Sequence, residues 1–147
     1  MREILFRGKD FSGVINHNWC FGSLDTIEDD RAIIIYSDRF GNKCRIFVDP
    51  STVGEYTGLK DKNGERIFEG DIVKNEWCFI NGNSIVRFGE YKSHDSSNDY
   101  QCGHLGFYLE HISDFNKRAV RKDIMYFANK CEIIGNVFDN PELLKEG

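Results

Sequence analysis

The sequence predicts a mainly β protein built from small antiparallel sheets, with one or two short helices. Two observations lead there. Apolar residues recur with period two along most of the chain, as in strands with one buried face. Fourteen Gly stand against two Pro, which suits many tight turns between short strands. Aromatic residues make up 14%, most of them Phe.

The elements follow in chain order. Ile4-Leu5-Phe6-Arg7 reads as a first strand, Asp10 to Gly13 as a turn, and Trp19 to Leu24 as a second strand. Glu28-Asp29-Asp30 forms a solvated acidic corner. Arg31-Ala32-Ile33-Ile34-Ile35-Tyr36 is apolar on both faces and predicts a central strand. After a turn at Phe40-Gly41-Asn42, the segment Lys43 to Val48 alternates, with Cys44, Ile46 and Val48 on one face and Lys43, Arg45 and Phe47 on the other.

Asp49-Pro50 ends this block, and Val53 to Leu59 is extended again. Asp61-Lys62-Asn63-Gly64 is a strong hairpin turn, because Asn-Gly tolerates the positive φ that tight turns require. Further strands are expected at Ser84 to Phe88 and Gly106 to Glu110, with His94 to Gly103 as a polar loop between them. Phe115, Ala119, Val120 and Ile124 have helical spacing. Met125 to Phe127 and Glu132 to Val137 read as closing strands. Asn140-Pro141-Glu142 is a helix start, so a short C-terminal helix docked through Leu143 and Leu144 is expected.

Length, charge and cysteine usage narrow the class. A chain of 147 residues buries enough surface to hold a core without a metal or a disulfide. No cofactor is implied. The net charge is −5, with ten Lys/Arg against thirteen Asp/Glu in residues 1–73 and nine against eleven in the remainder. Nucleic-acid affinity rests largely on cations that neutralise phosphates, so the overall charge does not favour that partner. No segment approaches the roughly 18 apolar residues of a membrane span, and the apolar run at Ile4 to Phe6 is too short for a signal-peptide core. A cytoplasmic protein is expected. Cys20, Cys44, Cys78, Cys102 and Cys131 are scattered and odd in number, which reads as small apolar side chains and not a disulfide framework.

The segment from Thr52 to Val73 carries the most specific pattern in the chain. It runs Gly54-Glu55-Tyr56-Thr57-Gly58-Leu59, then Asp61 and Gly64, then Ile67-Phe68-Glu69-Gly70-Asp71-Ile72-Val73. It resembles the central signature of the YopX family. Arg2 to Arg7, Trp19-x-x-Gly22-x-Leu24, Val86 to Tyr91, Gly106-Phe107-Tyr108 and Ile134 to Leu144 resemble other segments of that family. Residues 92–105 and 113–130 are the least similar. The resemblance implies a phage or prophage protein in the cytoplasm of a bacterial host. The family has no established activity, so no catalytic residue carries over. The glycines of the signature suit bulges and turns, and Asp61 and Asp71 suit turn positions where a carboxylate accepts backbone N–H groups. Gly-Asp-Ile-Val followed by a return strand is similar to the turn-then-strand pattern of SH3-like barrels. The expected organisation is one domain over 1–147, with N-terminal strands in 1–50 and an SH3-like barrel portion plus a C-terminal helix in 51–147.

Sites for chemistry are weakly indicated. His17-x-x-Cys20 and Cys102-x-His104 have zinc-ligand residue types without a standard knuckle spacing, and buried Cys with surface His is the simpler reading. No Gly-x-Ser-x-Gly elbow or P-loop is present. The basic residues Lys117, Arg118, Arg121 and Lys122 form i,i+4 pairs on a helix and would gather charge on one side. Two functions follow. The first is protein–protein contact, with an unknown partner or a second copy, using exposed aromatics such as Trp77 and Tyr91 beside Arg121. The alternative is a nucleic-acid-binding SH3-like module using the 117–122 patch. Trp19 and Tyr56 are expected in the core. An enzyme is not expected, because no catalytic constellation is identifiable.

Overall fold

The alternating segments form ten strands among the described residues of the computed structural model, which are 2–13, 15–77, 80–95, 100–112 and 123–145. The chain divides into two units, Met1–Gly58 and Leu59–Gly147.

The first unit contains β1 (Phe6–Lys9), β2 (Trp19–Ile27), β3 (Ala32–Ser37), β4 (Lys43–Val48) and most of β5 (Gly54–Lys60), in the order β4-β3-β2-β1-β5. β3 is central, as its two apolar faces require. Ala32 and Ile34 are fully buried, and Ile33 and Ile35 are half-buried on the opposite face. β4 alternates as expected, with Ile46 and Val48 in the core and Lys43, Arg45 and Phe47 exposed. The core joins Cys20, Ala32, Ile34, Ile46 and Val48. The sheet curls until Val48 meets Asp10 in a single bridge, with Phe11 N donating to the Phe47 carbonyl at 2.9 Å. Tyr56 is core, and Trp19 is only half-buried.

In the second unit the end of β5 turns back into β6 (Arg66–Phe68), and a separate antiparallel sheet follows. That sheet has the order β10-β7-β8-β9, from β7 (Asp71–Trp77), β8 (Ile80–Asp95), β9 (Tyr100–His111) and β10 (Glu132–Asn136). No closed barrel is found among the described strands, so the barrel portion expected within 51–147 has no counterpart there. The core gathers Ile67, Val73, Val86, Leu109 and Cys131 beneath Ile124 and Phe127.

The signature segment works as a scaffold in this unit. Asp61 is buried, and its Oδ1 accepts from the backbone amides of Asn63 and Glu65, both at 2.9 Å. Its Oδ2 accepts from Ile133 N at 3.0 Å, tying the hairpin to β10. The positive φ of this turn falls on Gly64 (81°) alone, not on Asn63. Asp71 Oδ2 accepts from Phe68 N at 2.8 Å and closes the turn through Gly70.

Three local expectations are corrected. Residues 94–103 are not all loop: His94 pairs with Gln101 and Asp95 with Tyr100, because strand pairing needs only backbone groups and a two-stranded ribbon suits polar residues on both faces. Met125 to Phe127 is not a strand but part of α1 (Ile124–Phe127). Ile124, Phe127 and Ala128 are all buried, which is the i, i+3, i+4 spacing of one helical face. The C-terminal helix is a single 3-10 turn (Pro141–Leu144) with no buried residue. Asn140 does not cap it, and its Oδ1 accepts from Asn136 N at 3.2 Å instead. The helix expected around Phe115 and Ala119 lies outside the described residues. Among the described residues no helix is long and apolar enough to cross a membrane.

Candidate functional site

The pairing of β8 with β7 ends at Ile85, whereas β8 and β9 stay paired as far as Asp95 and Tyr100. The hairpin therefore continues beyond the sheet as a two-stranded ribbon. Cross-strand partners share a face, so the register sorts its side chains. One face continues the core outward. Val86 and Leu109 are fully buried, Phe88 and Phe107 follow with ring centroids 5.0 Å apart and edge-on, and Leu105 comes next. Phe88 is 52% exposed and Leu105 73%.

The opposite face carries an aromatic stack. Tyr91 lies 5.1 Å from its cross-strand partner His104 and 5.2 Å from Tyr108, with interplanar angles of 27° and 25°. The Tyr91 hydroxyl donates to Asp123 Oδ1 at 2.9 Å. Burial, then that hydrogen bond, then the negative charge of Asp123 push the phenol up to about 12.

A buried polar network lies on the core face of the same sheet. Asn75 Nδ2 donates to Ser84 Oγ at 3.1 Å, and Ser84 Oγ stands 2.7 Å from His111 Nδ1. Ser84 Oγ thus links the Asn75 amide to the His111 ring, joining β7, β8 and β9. Asn75, Ser84 and His111 are 1%, 1% and 3% exposed.

In the first unit the outer face of the sheet is rich in cations and aromatics. The register places Arg7 opposite Phe21 and Lys9 opposite Trp19. Ile33 stands opposite Phe47, Ile35 opposite Arg45 and Ser37 opposite Lys43. The Arg7 guanidinium lies over the Trp19 ring, 4.4 Å from its centroid. An open cleft of about 500 Å³ begins where the pairing of β2 with β3 ends, at Ser23 and Ile35, and Trp19, Phe21 and Lys43 line it.

The YopX protein family matches residues 6–145. The chain belongs to the YopX family. No curated protein matches it. Among solved structures it is similar to protein EF1440 from Enterococcus faecalis, at 19% identity over 99% of this chain and 100% of that one, with a TM-score of 0.49.

Of the residues singled out in the sequence of this YopX-family chain, Tyr91 stands in the aromatic stack of the ribbon. Trp77 ends β7, and its side chain lies outside the described residues. Lys117, Arg118, Arg121 and Lys122 also lie outside them. The zinc-type pairs are occupied otherwise where they are described. His17 Nδ1 lies 3.0 Å from the Asp10 carbonyl, Cys20 Sγ points to the Asn18 carbonyl, and His104 stacks on Tyr91. Among the described residues no group of three His, Cys, Asp or Glu side chains is placed to hold a metal. In the acidic corner, Glu28 pairs with Arg31 at 3.1 Å.

Sequence reasoning missed Phe88 and Leu105, since both sit in ordinary strand patterns. The available signal was the even spacing of Ser84, Val86 and Phe88, which places Phe88 on the core face after the sheet has run out of neighbours.

Proposed function

We propose that this YopX-family protein acts by contact with another protein, through the β8–β9 ribbon, as a phage or prophage accessory factor in the cytoplasm of its bacterial host. The supporting observation is the apolar face of the ribbon, where Phe88 and Leu105 remain 52% and 73% exposed beyond the last paired strand. Fully burying an exposed side chain of this kind contributes about 1.5–3 kcal/mol, and the partly covered Phe88 and Leu105 contribute the fraction that they still expose. The Tyr91 stack stiffens the other face, so little ordering is needed on binding. A second copy is the first candidate partner, because identical strand edges pair antiparallel about a two-fold axis. Contact rather than catalysis is also supported by the burial of Ser84 and His111.

The test compares wild type with Phe88→Asp and Leu105→Asp in nuclease-treated pull-downs and in light scattering of the purified protein. Loss of a retained protein, or of a dimer, in both variants is the expected result. Retention of the same partners by both variants, or a wild type that is monomeric and retains nothing, refutes this reading.

A further inference from the structure

We infer that the outer face of the first sheet is a binding site for single-stranded nucleic acid. This face, built from β1 to β4, shares no residue with the ribbon. Single strands are held by aromatic rings that stack on bases and by cations that meet the phosphates between them. Strand register puts both kinds of side chain on this one face. Phe21 and Phe47 are 48% and 50% exposed, beside exposed Lys43 and Arg45 and half-buried Lys9.

Charge complementarity selects the ligand. The chain as a whole carries −5, yet this face presents half-buried Lys9 and exposed Lys43 and Arg45, the last paired with Asp25, while Arg7 is buried. Lys43 lines the cleft of about 500 Å³ together with Trp19 and Phe21, so a base entering it meets aromatic side chains while its phosphate stays near an ammonium group. Arg7 over Trp19 holds that ring in place as part of the wall. Duplex bases are already stacked on each other, so a duplex of equal length is the weaker ligand.

The experiment is fluorescence anisotropy of labelled oligo-dT and oligo-U with the full chain, at low and at physiological salt. Expected are binding that weakens with salt, a roughly 5- to 100-fold loss of affinity in Phe21→Ala, and a salt slope reduced by ~0.7 in Lys43→Gln. Both side chains are exposed, and circular dichroism checks that the fold is kept. Phe88→Asp should bind the oligomers as wild type does, which separates this site from the ribbon. The inference is overturned if no oligomer binds at low salt, or if Phe21→Ala and Lys43→Gln leave binding unchanged. It is equally overturned if poly-glutamate binds as tightly with the same dependence on both residues, since that would make the ligand an acidic peptide.

Discussion

Gly22 approaches Ile35 so closely that a Cβ built on the glycine would stand 2.0 Å from the Ile35 carbonyl oxygen and 3.0 Å from Ile34 Cγ2. The obstacle is backbone, and it belongs to the residue paired with Ser23 in the β2–β3 ladder. A side chain here forces the two strands apart. Gly22→Ala is expected to lower stability by about 3 kcal/mol, the upper end of ordinary overpacking. Urea denaturation measures it. Gly103→Ala is the control: nothing lies within 4 Å of its Cβ position, so its midpoint should match wild type.

Asp61 is the joint between the signature hairpin and β10. Its carboxylate accepts three backbone N–H groups, from Asn63, Glu65 and Ile133. Hydrogen bonds to a charged acceptor contribute about 1.5–3 kcal/mol each before losses are shared. Asp61→Ala should therefore cost about 3–5 kcal/mol, and Asp61→Asn less, since its amide oxygen still accepts. Hydrogen exchange by NMR should show the amides of residues 63, 65 and 133 speeding up together. Unchanged protection at Ile133 would show that β10 does not depend on this joint.

Asp10 sets an acid limit on the first unit. Burial alone would raise its carboxyl. The Ser12 hydroxyl and the backbone amides of Ile15 and Ser12 outweigh that and hold it below the ordinary value of 3.8. A depressed carboxylate contributes stability above its unfolded value and loses it as pH falls through the folded one. The unfolding midpoint should thus drop as pH goes below about 4, and Asp10→Asn should flatten that part of the curve. Equal slopes in the two proteins would refute the assignment.

Tyr91 is expected to titrate late. A phenol with a pKa of about 12 should appear in the absorbance titration at high pH and vanish in Tyr91→Phe. Asp123→Ala removes both the hydrogen bond and the charge, and should bring the value back toward 10. Folded-state protonation outlasting that of the unfolded chain means that stability declines as pH rises from 10 towards 12.

Much of the fold was legible in local patterns. The alternation in Lys43 to Val48, the two apolar faces of Ala32 to Tyr36 and the hairpin at Asp61 to Gly64 all lie where the sequence put them. The misses were decided by contacts that no local pattern reports. His94 to Gly103 is polar, and polarity says nothing about whether backbone groups find partners. Ile124 to Phe127 is too short for periodicity to separate helix from strand, and the core beneath it decided. The candidate surface was harder still. Tyr91 was visible as an aromatic in a strand, but Phe88 and Leu105 become exposed only because β7 stops short of them.

By itself, the sequence determined the strand-forming segments, the turns that separate them, membership of the YopX family and an acidic chain with scattered thiols. These follow from side-chain period, glycine and aspartate chemistry and composition, all of which are local. The tertiary structure alone decided which strands lie side by side. Pairing depends on contacts between residues far apart in the chain, and no single segment encodes them. From that pairing came two sheets with no closed barrel among the described strands, the ribbon's apolar face, and the gathering of cations and rings around Phe21 and Lys43.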